Sequence, residues 1–306
     1  MKVNILLSTY NGEKYLSKQI DSIINQTFSN WNLLIRDDGS KDKTPQIIKE
    51  YCSKDERIHF INESNISNVG VHRSFKELAA FEEADYYFLS DQDDVWKKKK
   101  IEKMLQVAHG KSNSRWSGPK LYYSDLTIVN SKLEVISERI KNPEGNHKAP
   151  ILKDFLANNV VTGCSAMFNL TLRNLWLADS EIIALHDSML GILAAAFGQL
   201  IFIDEPLIYY RQHEANVVGA KTKGSAFQVF WNYHAAMQKR AENVLKEFST
   251  LSPESRKILV AFRKLETGNI FSRLAIVVKY RYRYAMGDWK YTLAYNLLML
   301  TKFRKN

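Results

Sequence analysis

The sequence predicts an α/β fold, a mainly parallel sheet with flanking helices, followed by a helical C-terminal region. Three observations carry this. Short apolar runs alternate with stretches of helical period through roughly the first 110 residues. Polar clusters rich in Asp, Asn, Ser and Gly follow three of those runs: STYNG, DDGS and SDQDD. The last part of the chain has helical periodicity and carries the whole excess of positive charge.

Val3 to Leu7 reads as a buried strand. Leu16, Ile20, Ile23 and Ile24 then lie on one face of a helix. Trp31 to Ile35 is a second strand, ending in Asp37-Asp38-Gly39-Ser40. Thr44-Pro45 has the form of an N-cap with proline at the first helical position, and Ile47, Ile48 and Tyr51 supply an apolar face. Ile58 to Ile61 is a third strand. An Asn- and Gly-rich loop leads to a helix through Phe75, Leu78 and Ala79, and Tyr86 to Leu89 is the fourth strand. Strands and helices in this alternation make βαβ units and a parallel sheet, whose ligands bind beyond the carboxyl ends of the strands. The three polar clusters share that edge.

The middle is less regular. Leu121 to Ser124 reads as a strand, Leu126 to Ile136 as a hairpin around Asn130-Ser131, and Lys141 to Pro150 as a polar loop. Val160 to Phe168 reads as a strand interrupted by Gly163. Ser188 to Phe197 reads as a buried helix, and Leu200 to Ile203 and Leu207 to Tyr210 as short strands. Beyond lie helices: a stripe of Phe227, Phe230, Trp231 and His234, then a start at Ser252-Pro253 with Ile258, Leu259, Phe262 and Leu265 on one face.

The chain has 306 residues and a formal net charge of +10. Residues 220–306 hold 17 lysines and arginines against 5 acids, a net +12, so residues 1–219 are near neutral. This division sets two expected parts, a near-neutral domain over 1–219 and a basic helical region over 220–306 that faces something anionic. Cys52 and Cys164 form no framework and no metal spacing, which suits a reducing compartment. The N-terminus MKVNILLSTYNG reads as a first strand rather than a signal peptide, and no run reaches the ~18 apolar residues of a membrane span.

The acid clusters carry the chemistry. Asp91, Asp93 and Asp94 stand at a strand end, where like charges repel one another. Carboxylates on a tight turn are what a hard cation such as Mg²⁺ or Mn²⁺ requires, usually shared with substrate phosphates. A calcium-binding EF-hand matches Asp91, Asp93 and Glu102 but fails where Val95 replaces a ligand and Trp96 replaces the turn glycine. A solvated turn capping the next helix is the plain alternative. DDGS after a parallel strand can accept from ribose hydroxyls or a base N–H, or be only a turn. The dinucleotide and P-loop glycine signatures are both missing.

Together, STYNGEKYL, DDGS and LSDQDDVW resemble the family 2 glycosyltransferases, closely over about residues 3–110 and more loosely to about 219. SDQDDVW with Tyr210-Arg211-Gln212-His213 is most similar to the bacterial rhamnosyltransferase branch, which builds cell-wall and surface polysaccharides. The resemblance implies a GT-A type, Rossmann-like fold and a catalytic domain over 1–219 that performs inverting transfer from a nucleotide-diphosphate sugar, with Mg²⁺ or Mn²⁺. The donor it implies is L-rhamnose on thymidine diphosphate or, as the alternative, another UDP- or dTDP-sugar. A non-enzymatic anion-binding protein is the other reading.

The resemblance also implies residue roles. Thr9, Tyr10 and Asn11 form the first turn over the nucleotide. Asp38, with Asp37 as the alternative, contacts base or ribose. Asn68 and Gly70 lie in the loop near the nucleotide, and Arg73 is expected to reach the base or ribose. Asp91 lies on the ribose side, Asp93 at the metal, and Asp94 has no assigned role. Gly163-Cys164 fits the small-residue motif near the acceptor. His186-Asp187 stands where the family has an acid pair; His186 departs from that pattern, which leaves Asp187 as the general base or as the cap of the following helix. Arg211 is expected to hold the diphosphate, and His213 the metal or, as the alternative, a phosphate. Trp96 either stacks on the acceptor sugar or packs at the helix start.

The tail interleaves cations and aromatics in Lys279-Tyr280-Arg281-Tyr282-Arg283-Tyr284. That pattern suits RNA or an anionic membrane surface. The resemblance implies lipid-linked acceptors, so a peripheral position on the inner face of the plasma membrane is expected. A solvated helical domain or a homodimer surface are the alternatives. No nucleic-acid fold signature is present.

Overall fold

Runs of Val, Ile, Leu and aromatic residues place four parallel strands side by side in one half of the sheet. These are β1 (Val3–Thr9), β2 (Trp31–Asp37), β3 (Ile58–Phe60) and β4 (Tyr86–Ser90). The structure is a computed structural model, and it describes residues 1–110, 117–140, 148–179, 185–214, 226–283 and 289–301. The helices between these strands follow the apolar spacing: α1 (Leu16–Ile24), α2 (Thr44–Cys52) and α3 (Val71–Phe81). Then come β5 (Val95–Trp96), α4 (Lys100–His109), β6 (Lys120–Val129), β7 (Val135–Ser137), α5 (Leu152–Ala157), β8 (Ala166–Asn169), α6 (Leu170–Ala178), α7 (His186–Phe197) and β9 (Gln199–Arg211).

The sheet order is β3-β2-β1-β4-β8-β6-β9-β5, with β7 paired to β6. β8 runs antiparallel to β4 and β6, β9 parallel to β6, and β5 antiparallel to β9. The five steps from Ser90 to Val95 reach at most ~18 Å, while four strand spacings of ~4.8 Å separate β4 from β5 in sheet order. The sheet therefore curls, bringing its β9–β5 edge back toward the carboxyl end of β4. Side chains of β1 alternate between two cores, with Val3, Ile5 and Leu7 in one cluster and Leu6 in the other.

Several local expectations are corrected. Only the second half of Val160 to Phe168 is strand; Gly163–Ser165 is a 3-10 turn, drawn tight because the amide and the hydroxyl of Ser165 both donate to the Thr162 carbonyl. The two short strands expected at 200–210 are one strand, bent where Pro206, which has no N–H for the ladder, faces Asp125 across a register shift. Leu121 to Ser124 and the first hairpin arm are likewise one strand, β6, and the hairpin to β7 forms around Asn130. Thr44 is not the cap of α2. Its hydroxyl accepts from Gly12 N (2.8 Å), and Asp42 Oδ1 takes the Thr44 amide instead (3.0 Å).

The tail folds as α8 (Ala226–Glu247), α9 (Pro253–Thr267), α10 (Ile270–Tyr280) and α11 (Trp289–Leu298). Ser252 caps α9 by accepting from Ser255 N (3.1 Å), with Leu259, Phe262 and Leu265 buried. Trp231, Met237, Phe262, Tyr282 and Tyr295 share one hydrophobic cluster with Phe155, Leu190 and Leu193, so these helices extend the core on one face of the sheet. The expected boundary at 219/220, most of the loop at Lys141 to Pro150, the Phe227 side chain and Tyr284 lie outside the described residues. No helix among the described residues is long and apolar enough to cross a membrane.

Candidate active site

The turns after β1, β2 and β4 interlock at the carboxyl edge of the sheet. Asn11, in the left-handed region at φ 49, donates its amide to Ser40 Oγ (2.8 Å) and accepts from Lys41 N through Oδ1 (2.8 Å). Asp37 is fully buried and fixes its own turn, accepting from Thr9 Oγ1 (2.9 Å), Ser40 Oγ (2.6 Å) and the amides of Gly39 and Ser40. Asp38 turns toward the next loop: Oδ1 accepts from Arg36 Nη1 (2.8 Å) and Val69 N (2.7 Å), and Oδ2 from Gly70 N (3.0 Å). Asn68 Nδ2 returns a bond to the Asp38 carbonyl (2.8 Å). Asp38 and Asn68 thus meet, and Asp38 is the anchor of the Asn68–Gly70 loop. Arg73 at the exposed start of α3 pairs with Glu77 (3.0 Å).

Gln92 is a residue the motif reading passed over. Its amide clamps the Tyr10 backbone from both sides, Tyr10 N to Oε1 and Nε2 to Tyr10 O, each 2.9 Å. This clamp explains Gly12, where a Cβ would stand 2.3 Å from Gln92 Oε1. Tyr15 was passed over too. Its ring lies 4.8 Å from that of His213 and 4.5 Å from the Arg211 guanidinium.

His213 Nε2 and Asp93 Oδ2 stand 2.8 Å apart, joining groups 120 residues apart in the chain. Both side chains keep some exposure, 13% and 19%. Arg211 is buried at 1% exposure and serves the acid turn from beneath. It donates Nε to Asp93 O (2.6 Å), its amide to Asp94 Oδ1 (2.9 Å) and Nη1 to Ser131 O (2.7 Å). The expected open fork for a diphosphate is instead the brace of the Asp93–Asp94 turn.

Behind the turn, ligand atoms of Asp91, Asp94 and Cys164 lie within 4.8 Å of one another. Burial, reinforced by the neighbouring acids, pushes Asp91 well up and Asp94 up to about 7, and burial likewise drives the Cys164 thiol up. Lys100, the last of the four consecutive lysines, is fully buried here and donates Nζ to Cys164 O (2.5 Å). Burial draws its pKa down to about 7 against the opposing pull of the Cys164, Asp94 and Asp91 charges. A protonated thiol is a poor partner for a hard cation, while Asp93 and His213 offer the oxygen and imidazole that Mn²⁺ accepts.

Gly163, Cys164, His186 and Asp187 come together as expected. A Cβ on Gly163 would stand 3.1 Å from His186 Nε2 and 3.6 Å from Asp187 Cβ. Asp187 lies in the first turn of α7 rather than at its cap, with Oδ1 accepting from Ser188 N (2.6 Å). Its charge reaches both Asp91 and the buried Arg240. His186 is buried, stacked on Phe75 at 4.1 Å, with His72 at 6.5 Å. Trp96 does not face a sugar. It is 3% exposed, packs 5.7 Å from Phe88, and holds the Lys100 ammonium 3.7 Å over its ring, because β5 pairs with β9 and turns the indole into the core.

The sequence profile described as Glycosyl transferase family 2 matches residues 4–174. The chain belongs to that family. The match runs from β1 into α6 and so covers the acid turn and the Gly163 turn, leaving Asp187, Arg211 and His213 beyond it. A dTDP-rhamnosyl transferase of Shigella flexneri, RfbG, is 29% identical over 231 residues, 70% of this chain and 74% of that protein. Other curated relatives are matched over a smaller part of their length, 23% of one and 40% of another. Among solved structures, Staphylococcus aureus TarS 1-349 in complex with UDP-GlcNAc aligns with TM-score 0.59 at 15% identity, over 98% of this chain and 89% of that one. A mannosyltransferase of Pyrobaculum calidifontis, solved with GDP-Man and Mn²⁺, aligns with TM-score 0.53 at 13% identity, over 97% and 85%. The family 2 chain thus has the GT-A fold its motifs imply.

Proposed function

We propose that this protein is a metal-dependent, inverting glycosyltransferase that moves L-rhamnose from dTDP-rhamnose onto a saccharide acceptor of a cell-wall or surface polysaccharide, carried on a lipid. The observation that carries the reading is the meeting of Asp93 and His213 at 2.8 Å beside the interlocked nucleotide-side turns, with Asp187 near enough for its charge to act on Asp91. The rhamnose assignment is supported by the SDQDDVW and YRQH wording and by the likeness to RfbG.

In this reading the loop held by Asp38 and the turn held by Gln92 cradle the nucleotide. Asp187 takes the proton of the acceptor hydroxyl as that oxygen attacks the anomeric carbon. The bond from that carbon to the diphosphate oxygen breaks, and its electron pair leaves with the nucleoside diphosphate. Asp93 and His213 would hold Mg²⁺ or Mn²⁺, which supplies positive charge for the departing diphosphate. Arg211 keeps Asp93 aimed by fixing the backbone on both sides of it.

The test is release of nucleoside diphosphate from a panel of nucleotide sugars, with Mg²⁺ or Mn²⁺, with chelator, and with lipid-linked acceptors present. Turnover with dTDP-rhamnose that stops on chelation is the expected result. Turnover only with a different donor would leave glycosyl transfer standing and remove rhamnose. No release from any donor would remove both.

A further inference from the structure

The outward faces of α10 and α11 are built in a way that water does not explain. Of the 18 large hydrophobic residues exposed among the described residues, seven lie on these two helices: Ile270, Phe271, Leu274, Val278, Trp289, Leu293 and Leu297. Phe271 is 80% exposed and Trp289 68%. On α11, Trp289, Leu293 and Leu297 recur every fourth residue, one continuous stripe. Meanwhile α10 buries Arg273, which donates to the carbonyls of Gly268 (3.1 Å), Glu266 (3.3 Å), Leu300 (3.4 Å) and Thr301 (2.8 Å). A helix that buries its arginine and exposes Phe, Leu and Val is inverted relative to an ordinary surface helix.

Hydrogen bonds tie the two helices together. Arg273 near the start of α10 reaches carbonyls beyond the end of α11, and Asn296 Nδ2 reaches the Tyr282 carbonyl after α10 (2.8 Å). Beside the apolar face of α10, a groove of about 490 Å³ runs between α9 and α10. Val260 and Ile276 line it, and Arg256, Lys257, Lys264 and Lys279 surround them. Among the described residues no carboxylate within ion-pair distance serves Lys257, Lys264 or Lys279.

We propose that this surface docks the protein on an anionic lipid bilayer, with the apolar residues of α10 and α11 entering the acyl boundary and the groove cations meeting headgroup phosphates. Charge selects this occupant over the others. A second copy of the chain would set a region of net +12 against itself. Nucleic acid would use the cations and leave the aliphatic stripe wet. An interfacial helix pair with flanking lysines and a Trp uses both features. The aromatic contacts come from different residues than the KYRYRY pattern suggests: Tyr282 is fully buried, and Phe271 and Trp289 are the exposed rings. The proposal does not depend on which donor the enzyme uses.

The test is flotation of the full chain with vesicles of phosphatidylcholine alone and of phosphatidylcholine with phosphatidylglycerol. Binding to the anionic vesicles is expected, with the Phe271→Ser, Leu274→Ser, Trp289→Ser, Leu293→Ser variant partitioning at least ~10-fold less while its thermal unfolding stays put. The Lys257→Glu, Lys264→Glu, Lys279→Glu variant should lose the preference for anionic over neutral vesicles. Equal binding by the serine variant and the wild type would overturn the proposal. So would a wild-type dimer in light scattering that becomes monomeric in the serine variant with no flotation of either.

Discussion

Lys100 Nζ donates to the carbonyl oxygen of Cys164 at 2.5 Å, which places a buried ammonium between the acid turn and the Gly163–Ser165 turn. Asp91 and Asp94 are the acids whose charge it offsets. The negative charge at the end of β4 therefore has an internal partner as well as the cation proposed at Asp93.

Removing that partner exposes the imbalance. Lys100→Met should destabilise the fold by on the order of 3 kcal/mol, because it takes the buried cation from beside the buried Asp94 and leaves the Cys164 carbonyl unpaired. Urea unfolding measures this. A variant within about 0.5 kcal/mol of wild type would show that the acids do not need Lys100.

The Asp93–His213 pair should govern the metal. Asp93→Ala and His213→Ala should each raise the Mn²⁺ concentration for half-maximal turnover by at least ~10-fold, the lower end for residues that merely orient a ligand. Titrating metal against nucleoside diphosphate release gives the figure. An unchanged midpoint in both variants would move the metal elsewhere.

Asp187→Asn separates chemistry from folding. The asparagine oxygen can still accept from Ser188 N, so α7 keeps its start. Turnover should fall by ~10²–10⁴ with donor affinity unchanged. Full activity in this variant would remove Asp187 as the base.

Acid should loosen the protein through buried histidines. Burial holds His186 down to about 3, and His72 and His234 to about 4, with nearby cations adding to the effect on the latter two. These groups are neutral in the fold, whereas in the unfolded chain they take up protons near the ordinary 6.5. Their contribution is intact above pH 6.5 and is lost as pH falls toward about 3 to 4. At pH 5 each costs on the order of 2 kcal/mol. The raised acids Asp91 and Asp94 work in the opposite sense, so the comparison is His186→Phe against wild type. The stability gap between them should shift in the variant's favour as pH drops from 7 to 5.

The alternation of strands and helices was legible because residues 3–90 keep their apolar periods in register with the sheet. The pairing of Gly163 with His186 and Asp187 was legible only through family likeness. What local pattern could not supply was the inward turn of single residues. Lys100 looks solvated in a run of four lysines, and only the seating of α4 against the curled sheet buries it. Arg211 looks like a phosphate ligand until β9 inserts beside β5 and carries it beneath the acid turn. Gln92 was readable in principle, since an amide flanked by acids can pair a neighbouring backbone where a carboxylate could not.

The placement of β9 also sets when the site can exist. A ribosome delivers Asp93 120 residues before His213, and it delivers β5 long before β9, the strand it pairs with. During synthesis the acid turn has neither its brace at Arg211 nor its imidazole, so a nascent or prematurely ended chain carries the sugar-nucleotide motifs without a finished centre. The proposed centre at Asp93 and His213 can form only after β9 has taken its place between β6 and β5.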